Sequence, residues 1–247
     1  MKLTVVGSGD AFGSGGRLQT CFHIRSETRS VLVDCGGTAL IGMARVGLDP
    51  TAIDTVLITH LHGDHYTGLV YLLLHARHIG KRTAPLEIIG PPGIEDRVFK
   101  TFELMFPGSS AKGNRFDLSF RTFGLDAPMT SGDLGLEVFE AAHPSGSLSG
   151  SLRLTLDRRT LAFSGDTEWV DDLLACSADA DLFVAECYAE RPGVRYHLDW
   201  ETLMSRIDAI TAQRLLLTHM NAGMLEASAG LAHPRVTFAT DGMTIVL

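Results

Sequence analysis

Four apolar segments of this sequence each lead into a histidine or an aspartate. TVLIT is followed by His60, LEVFEAA by His143 and RLLLT by His219, and LAF leads into the turn SGDT that contains Asp166. Apolar runs of this length, bounded by glycine or polar residues, are typical of buried strands. Because loops that leave one edge of a sheet lie close together, we expect these four side chains to converge.

The first of these segments supplies several candidate ligands within six residues. In extended backbone, alternate side chains point the same way, so His60 and His62 share a side. Gly63 allows a sharp turn that brings Asp64 and His65 to a second position nearby. Imidazole and carboxylate groups suit zinc, manganese or iron, although a polar turn with surface histidines is the competing interpretation. The full set suits two metal ions that share one carboxylate: His60, His62, Asp64, His65, His143, Asp166 and His219.

The remaining pattern alternates strands and helices in both halves of the chain. It predicts a four-layer αββα sandwich, in which two packed mixed sheets carry outer helices, as a single domain over 1–247. Strands are predicted over 2–7, 20–25, 30–35, 54–59, 85–90, 151–156, 160–164, 181–187, 214–218 and 243–247, with more inside 115–140. Helices are predicted over 38–46, 67–78, 169–175 and 199–212, with another from Pro91 to Phe106.

Composition narrows the class of protein. Apolar residues make up 45% of the 247, which is enough for a substantial core. The formal net charge of -8 disfavours a general nucleic-acid-binding surface. None of the four cysteines forms a C-x-x-C pair, and we expect reduced thiols. The sequence shows neither a signal peptide nor a membrane span, so a cytoplasmic protein without membrane contact is expected.

The motif THLHGDH, a later lone histidine, SGDT and a histidine in THM together resemble the metallo-β-lactamase superfamily over nearly the whole chain. This resemblance implies that His60, His62 and His143 hold one ion. It implies that Asp64, His65 and His219 hold the second, with Asp166 bridging both. Zinc is the expected metal, with manganese or iron as alternatives.

Three further segments resemble the ribonuclease Z and phosphodiesterase branch: VVGSGDAFGSGGR, VLVDCG and ATDGM. That branch implies hydrolysis of a phosphodiester by a metal-bridging hydroxide, with Asp64 accepting a proton from the water. Other branches keep the same ligands, so hydrolysis of an ester, lactone or thioester stays open. A non-catalytic metal-binding protein of cofactor biosynthesis, or a sensor, is a third possibility.

Two departures from that branch bear on the substrate. Only 22 residues, 144–165, separate His143 from Asp166, which leaves no room for the long arm of enzymes that process transfer RNA. The H-E-A-T segment of those enzymes is replaced by VAECY, which retains Glu186 but lacks the histidine. With the negative charge, this favours a small-molecule or nucleotide-type phosphodiester and makes transfer RNA an unexpected substrate. A homodimer is left open.

Four other residues are candidates for the site. The resemblance implies that His197 protonates the leaving group or contacts the phosphate, against a plain helix-entry histidine. Asp34 follows a buried strand and is expected to orient a ligand histidine, against an ordinary turn carboxylate. Arg17 and Asp10, in the glycine-rich loop, are candidates for substrate binding, against a solvated loop.

Overall fold

The structure, a computed structural model, describes residues 1–125 and 127–247. It contains two seven-stranded sheets, and helices cover both. The strands are β1 (Lys2–Gly7), β2 (Cys21–Arg25), β3 (Ser30–Val33), β4 (Thr55–Leu57), β5 (Leu86–Gly90), β6 (Leu118–Thr122), β7 (Met129–Ser131), β8 (Leu134–Glu140), β9 (Gly150–Leu156), β10 (Arg159–Phe163), β11 (Leu182–Glu186), β12 (Leu215–Thr218), β13 (Val236–Phe238) and β14 (Thr244–Val246). The α-helices are α1 (Ala39–Arg45), α2 (Gly63–Tyr66), α3 (Gly68–His78), α4 (Ile94–Met105), α5 (Asp172–Ser177), α6 (Trp200–Ser205) and α7 (Ala222–Ala227).

Both sheets are mixed. The first has the order β14-β1-β2-β3-β4-β5-β6, antiparallel from β14 to β3 and parallel from β3 to β6. The second has the order β13-β12-β11-β10-β9-β8-β7, parallel from β13 to β10 and antiparallel from β10 to β7. Strands β8, β10, β11 and β12 therefore run in the same direction, and their carboxyl ends lie at one edge.

Three hydrophobic clusters fill the spaces between the layers. Leu3, Phe22 and Val33 of the first sheet meet Leu152 and Phe163 of the second in the central cluster. A second cluster packs α1, α3 and α4 against the outer face of the first sheet. A third packs α5, α6 and α7 against the outer face of the second. The layers are thus helix, sheet, sheet, helix, and the predicted αββα sandwich is confirmed.

The helix predicted over 199–212 is wrong in its extent. The α-helix ends at Ser205, and the chain then turns so that Ile207 and Ile210 both enter the outer core. The Arg235 guanidinium donates to the carbonyl oxygens of Ile210 and Ala212, at 2.7 and 3.0 Å, and so replaces helical amides as their partner. A local sequence pattern cannot predict this contact, because the arginine is distant from these carbonyls in sequence.

Other boundaries also differ. Helix α5 begins three residues later than predicted, and the sequence pattern missed α2, α7 and β13. These elements are short, from three to six residues, and short elements carry little periodicity. Among the described residues, no helix is long and apolar enough to cross a membrane.

Candidate metal centre

Strand β4 and the turn after it position the first group of polar side chains. The backbone is extended at His62 (φ -81°, ψ 148°), and the one-turn helix α2 starts at Gly63. This helix places Asp64 and His65 above the end of β4, inside the protein. His60 is fully buried and His65 is 1% exposed. The predicted turn at Gly63 is therefore a helical turn that separates the two pairs of side chains.

Strands of the second sheet supply the other candidate ligands. His143 follows β8, Asp166 follows β10, and His219 follows β12 directly. All three are less than 10% exposed. Strand ends from the two sheets therefore face each other across one edge of the sandwich.

The seven side chains form two groups that meet at Asp166. In the first, His60, His62 and His143 each offer a nitrogen within 4.8 Å of the others. In the second, Asp64, His65, Asp166 and His219 do the same with nitrogen and carboxylate oxygen atoms.

The Asp166 carboxylate reaches both groups. Its Oδ2 lies 3.8 Å from the Nε2 atoms of His60 and His143, and 3.5 Å from Nε2 of His219. Its Oδ1 lies 3.3 Å from Nε2 of His65. Asp166 thus lies between the two groups, within 4 Å of histidines from both.

Hydrogen bonds to the outer ring nitrogens fix three of the histidines. His65 Nδ1 donates to the Asp34 carboxylate at 2.8 Å, and His143 Nδ1 donates to the Tyr196 carbonyl at 2.9 Å. The Thr59 hydroxyl lies 3.0 Å from His60 Nδ1. Because an N–H at Nδ1 leaves a lone pair on Nε2, these contacts present His65 and His143 as metal ligands.

The surroundings of two ring nitrogens show whether these residues fit a metal ion. The Nε2 atoms of His60 and His65 are buried and have no hydrogen-bond partner within the described part of the chain. A buried polar atom without a partner typically costs about 1–3 kcal/mol. Both atoms point toward Asp166 and the other ligands, and imidazole with carboxylate is a donor set that divalent metals use. The residues therefore fit metal ions.

The charges in the centre are strongly coupled. Burial alone would raise the pKa of Asp166, but His219 and His65 hold it well below its usual range. Burial alone would lower the pKa of His219, but Asp166 and Asp64 raise it to about 10. Burial also lowers the pKa of His60 well below its usual range, which keeps that ring neutral and able to bind a metal. Protonated histidines thus balance the negative charge of the carboxylates, and bound metal ions would take the place of these protons.

A second pair of residues lies beside the centre. His197 Nδ1 donates to Glu186 Oε1, and Glu186 Oε2 accepts from the backbone amides of Thr167 (2.9 Å) and Leu198 (3.2 Å). The His197 ring centroid is 5.0 Å from that of His143 and 6.1 Å from that of His219. Its side chain is 20% exposed, so it borders the centre and the solvent. The structure thus places the predicted His197 next to the candidate ligands.

Sequence reasoning missed several residues of this pair's surroundings. The sequence pattern assigns no role to Glu186, although it is the last residue of β11 and so lies at the same sheet edge as the candidates that follow β8, β10 and β12. The Tyr188 ring stacks on His197 at 4.6 Å between centroids and has no local signal beyond its position two residues after Glu186. Tyr196 contributes a main-chain oxygen, which no side-chain pattern reveals.

Asp10 and Arg17 contact the protein itself. The buried Asp10 carboxylate accepts from the Phe12 and Ser14 amides, at 3.2 and 2.9 Å, and from the Ser14 hydroxyl. Arg17 donates to Ser8 Oγ at 3.3 Å and to the Ala239 carbonyl. These contacts hold the glycine-rich loop in place, and a role of either side chain in substrate binding stays a prediction.

The sequence profile of one family, the anti-Pycsar protein Apyc1 family, matches residues 1–245 of the chain. The chain belongs to this family. The probable metallo-hydrolase YhfI of Bacillus subtilis is 26% identical over 89% of this chain and 87% of its own length. Ribonuclease Z of Limosilactobacillus fermentum is 29% identical over 90% of this chain and 88% of its own length.

Solved structures agree with these sequence matches. The crystal structure of YhfI superposes with a TM-score of 0.79 at 24% identity and covers 99% of this chain and 98% of that one. The human tRNase Z short form has a TM-score of 0.78 at 25% identity and covers 100% and 99%. This member of the Apyc1 family is therefore a metallo-β-lactamase-superfamily protein of the ribonuclease Z and phosphodiesterase-like branch. It is a metal-dependent hydrolase.

Proposed function

We propose that this chain hydrolyses a phosphodiester, of small-molecule or nucleotide type, with two divalent metal ions, zinc foremost. The proposal rests on the arrangement of side chains in one place. Two groups of candidate ligands meet at Asp166, and the Glu186–His197 pair lies against the same centre. A structural zinc site needs four ligands, so seven exceed what one ion requires. We assign His60, His62 and His143 to one ion, and Asp64, His65 and His219 to the other.

Bound metal ions would lower the pKa of a water molecule toward neutrality and neutralise charge that develops on phosphate oxygens. Asp64 is suited to accept the proton that this water loses. Burial alone would raise the pKa of Asp64, but His65 and His219 hold it well below its usual range, so the carboxylate is ionised. It is 8% exposed and lies 3.2 Å from His219 Nε2, inside the centre.

We assign protonation of the leaving group to His197. Burial alone would lower its pKa, but the hydrogen bond and charge of Glu186 raise it, which favours the protonated ring. With Nδ1 held by Glu186, Nε2 can donate to a leaving oxygen. Displacement of an alkoxide from phosphorus needs such a donor more than displacement of a stabilised anion does. The pair therefore suits a phosphodiester with an alcohol leaving group.

The proposal is tested by comparing substrates on metal-loaded protein purified without chelator. We expect turnover of bis-p-nitrophenyl phosphate, with little on p-nitrophenyl acetate, a simple lactone or an acyl thioester. Asp166→Ala should abolish this turnover, and His78→Ala should retain it because His78 is exposed at the end of α3 and outside the ligand groups. Turnover of the acyl substrates alone would establish the ester-hydrolase alternative. Full metal content without turnover of any substrate would indicate a non-catalytic metal-binding protein.

A further inference from the structure

A groove of about 370 Å³ lies on the outer face of the first sheet, next to the end of α1. Strands β14, β1 and β2 form its floor, and the chain after α1 forms a wall. Among the described residues that line it, none is acidic, and three are Lys or Arg. The lining residues are Lys2, Thr4, His23, Arg25, Arg45, Val46, Gly47, Leu48, Gly242 and Thr244.

Two of the cations face each other across paired strands. Lys2 of β1 and Arg25 of β2 are directly opposite in the antiparallel register. Like charges in such a pair destabilise a sheet. Arg45, in the last turn of α1, adds a third charge to the same groove. The groove thus concentrates positive charge, and the repulsion between these charges by itself disfavours folding.

Among the described residues, these cations have no acidic partner. In the described part of the chain, no carboxylate lies within 4.0 Å of the charged atoms of Lys2, Arg25 or Arg45. The sequence has 29 acidic and 21 basic residues, so partners are plentiful elsewhere. The three charges are therefore available to an external anion.

His23 lies between these charges and the core. Its Nε2 is 2.9 Å from Ser30 Oγ, and its register partner is Thr4, which pairs with Thr244 on the other side. Burial, followed by the charges of Arg25 and Lys2, lowers the pKa of His23 to about 4. The histidine is thus neutral near pH 7, and the hydroxyls of Thr4 and Thr244 offer neutral donors beside the cations.

We propose that this groove binds the phosphate group of a small molecule through Lys2, Arg25 and Arg45. Guanidinium groups match phosphate oxygens in geometry and charge, and the volume is within the range of small-ligand pockets. The site is separate from the metal centre, because none of the seven ligands lines it. It would hold a phosphate-bearing effector or a released phosphate ester without contact to the metals.

Calorimetric titration of the metal-loaded protein with inorganic phosphate tests the proposal. The groove should appear as a binding event in addition to any at the metal centre. Arg25→Glu should weaken that event at least about tenfold, since it removes a charge-assisted hydrogen bond and places a negative charge next to the anion. Arg25→Gln and Arg45→Gln should each weaken it less, and neither should lower the melting temperature, because each removes a charge from a repulsive group. Lys112→Glu, with the same charge change at an exposed loop, is the matched control.

The outcomes separate cleanly. Weaker binding at one event in the Arg25 and Arg45 variants, most of all in Arg25→Glu, with the Lys112 variant like wild type, supports the groove. A wild-type titration with no event beyond the metal centre would overturn the proposal. Equal affinity in all variants would overturn it as well. Turnover of bis-p-nitrophenyl phosphate in Arg25→Glu should match wild type, since Arg25 lies outside the centre.

Discussion

At the scale of single residues, the contact with Glu186 makes His197 the proposed general acid of the site. If His197 protonates the leaving group, His197→Ala should lower turnover of an alkyl phosphodiester by about a hundredfold to ten-thousandfold. An activated aryl leaving group needs little protonation. Turnover of a substrate with such a leaving group should therefore fall much less in the same variant. Metal content, measured in the same sample, should stay at the wild-type value. Equal losses on both substrates would instead show that His197 only positions the substrate.

Asp34 is the second residue whose role depends on one contact. Its carboxylate accepts from His65 Nδ1 at 2.8 Å and from the Thr59 amide at 2.8 Å. Asp34→Asn should weaken metal binding by about ten- to a hundredfold, because partners of this kind fix the orientation and basicity of a ligand histidine. Competition with a chromophoric chelator measures the affinity. Asp172→Asn, at an exposed carboxylate on α5, should bind metal as wild type does. The same affinity in both variants would mean that Asp34 does not orient His65.

At the scale of elements, the end of the chain holds the glycine-rich loop against the sandwich. Asp241 accepts from the Ser8 amide and hydroxyl, at 2.9 and 2.8 Å, and from the Leu18 amide at 2.8 Å. Ser8 in turn accepts from the His219 amide through its carbonyl, at 3.1 Å. One aspartate thus links the segment before β14, the loop after β1 and His219, a proposed metal ligand.

Asp241→Ala should lower the free energy of unfolding by about 1–3 kcal/mol, since it leaves partly buried donors without an acceptor. Urea unfolding followed by circular dichroism measures the change. Asp208→Ala, at an exposed carboxylate after α6, should change it by less than about 0.5 kcal/mol. Unfolding curves that coincide for both variants would show that the link is not stabilising.

At the scale of the whole molecule, metal uptake should be coupled to protons. His65 and His219 have raised pKa values because carboxylates surround them, and both must lose a proton to bind a metal. Zinc binding to the chelator-treated protein should therefore release protons and weaken as the pH falls. Calorimetry in buffers of different ionisation enthalpy measures the release. The stoichiometry should approach two ions per chain, and a fixed value of one would contradict the two-metal assignment.

The overall charge and the short segment between His143 and Asp166 lead to a prediction about large substrates. Residues 144–165 form a loop and the β9–β10 hairpin, which pairs inside the second sheet and leaves no projecting arm. With a net charge of -8, the protein should not cleave a 3′-extended transfer RNA precursor efficiently at physiological salt. Cleavage is measured on a denaturing gel beside bis-p-nitrophenyl phosphate turnover of the same sample. Comparable catalytic efficiency on the two substrates would show that this prediction is wrong.

The sequence by itself determined the αββα class, most strands and the set of candidate ligands, because each rests on local information. An apolar run that ends in His60 or His219 predicts both a buried strand and a polar loop at its end. The family resemblance added the division of the ligands into two groups. Short elements such as α2 and β13 carried too few residues for a periodic signal.

Only the tertiary structure decided which side chains support the ligands. The contact of Asp34 with His65 spans 31 positions, and that of His143 with the Tyr196 carbonyl spans 53. The cations of Lys2 and Arg45 come together from a strand and a helix end that have no shared motif. Contacts of this kind depend on how the layers pack, so a local pattern of residues does not encode them individually.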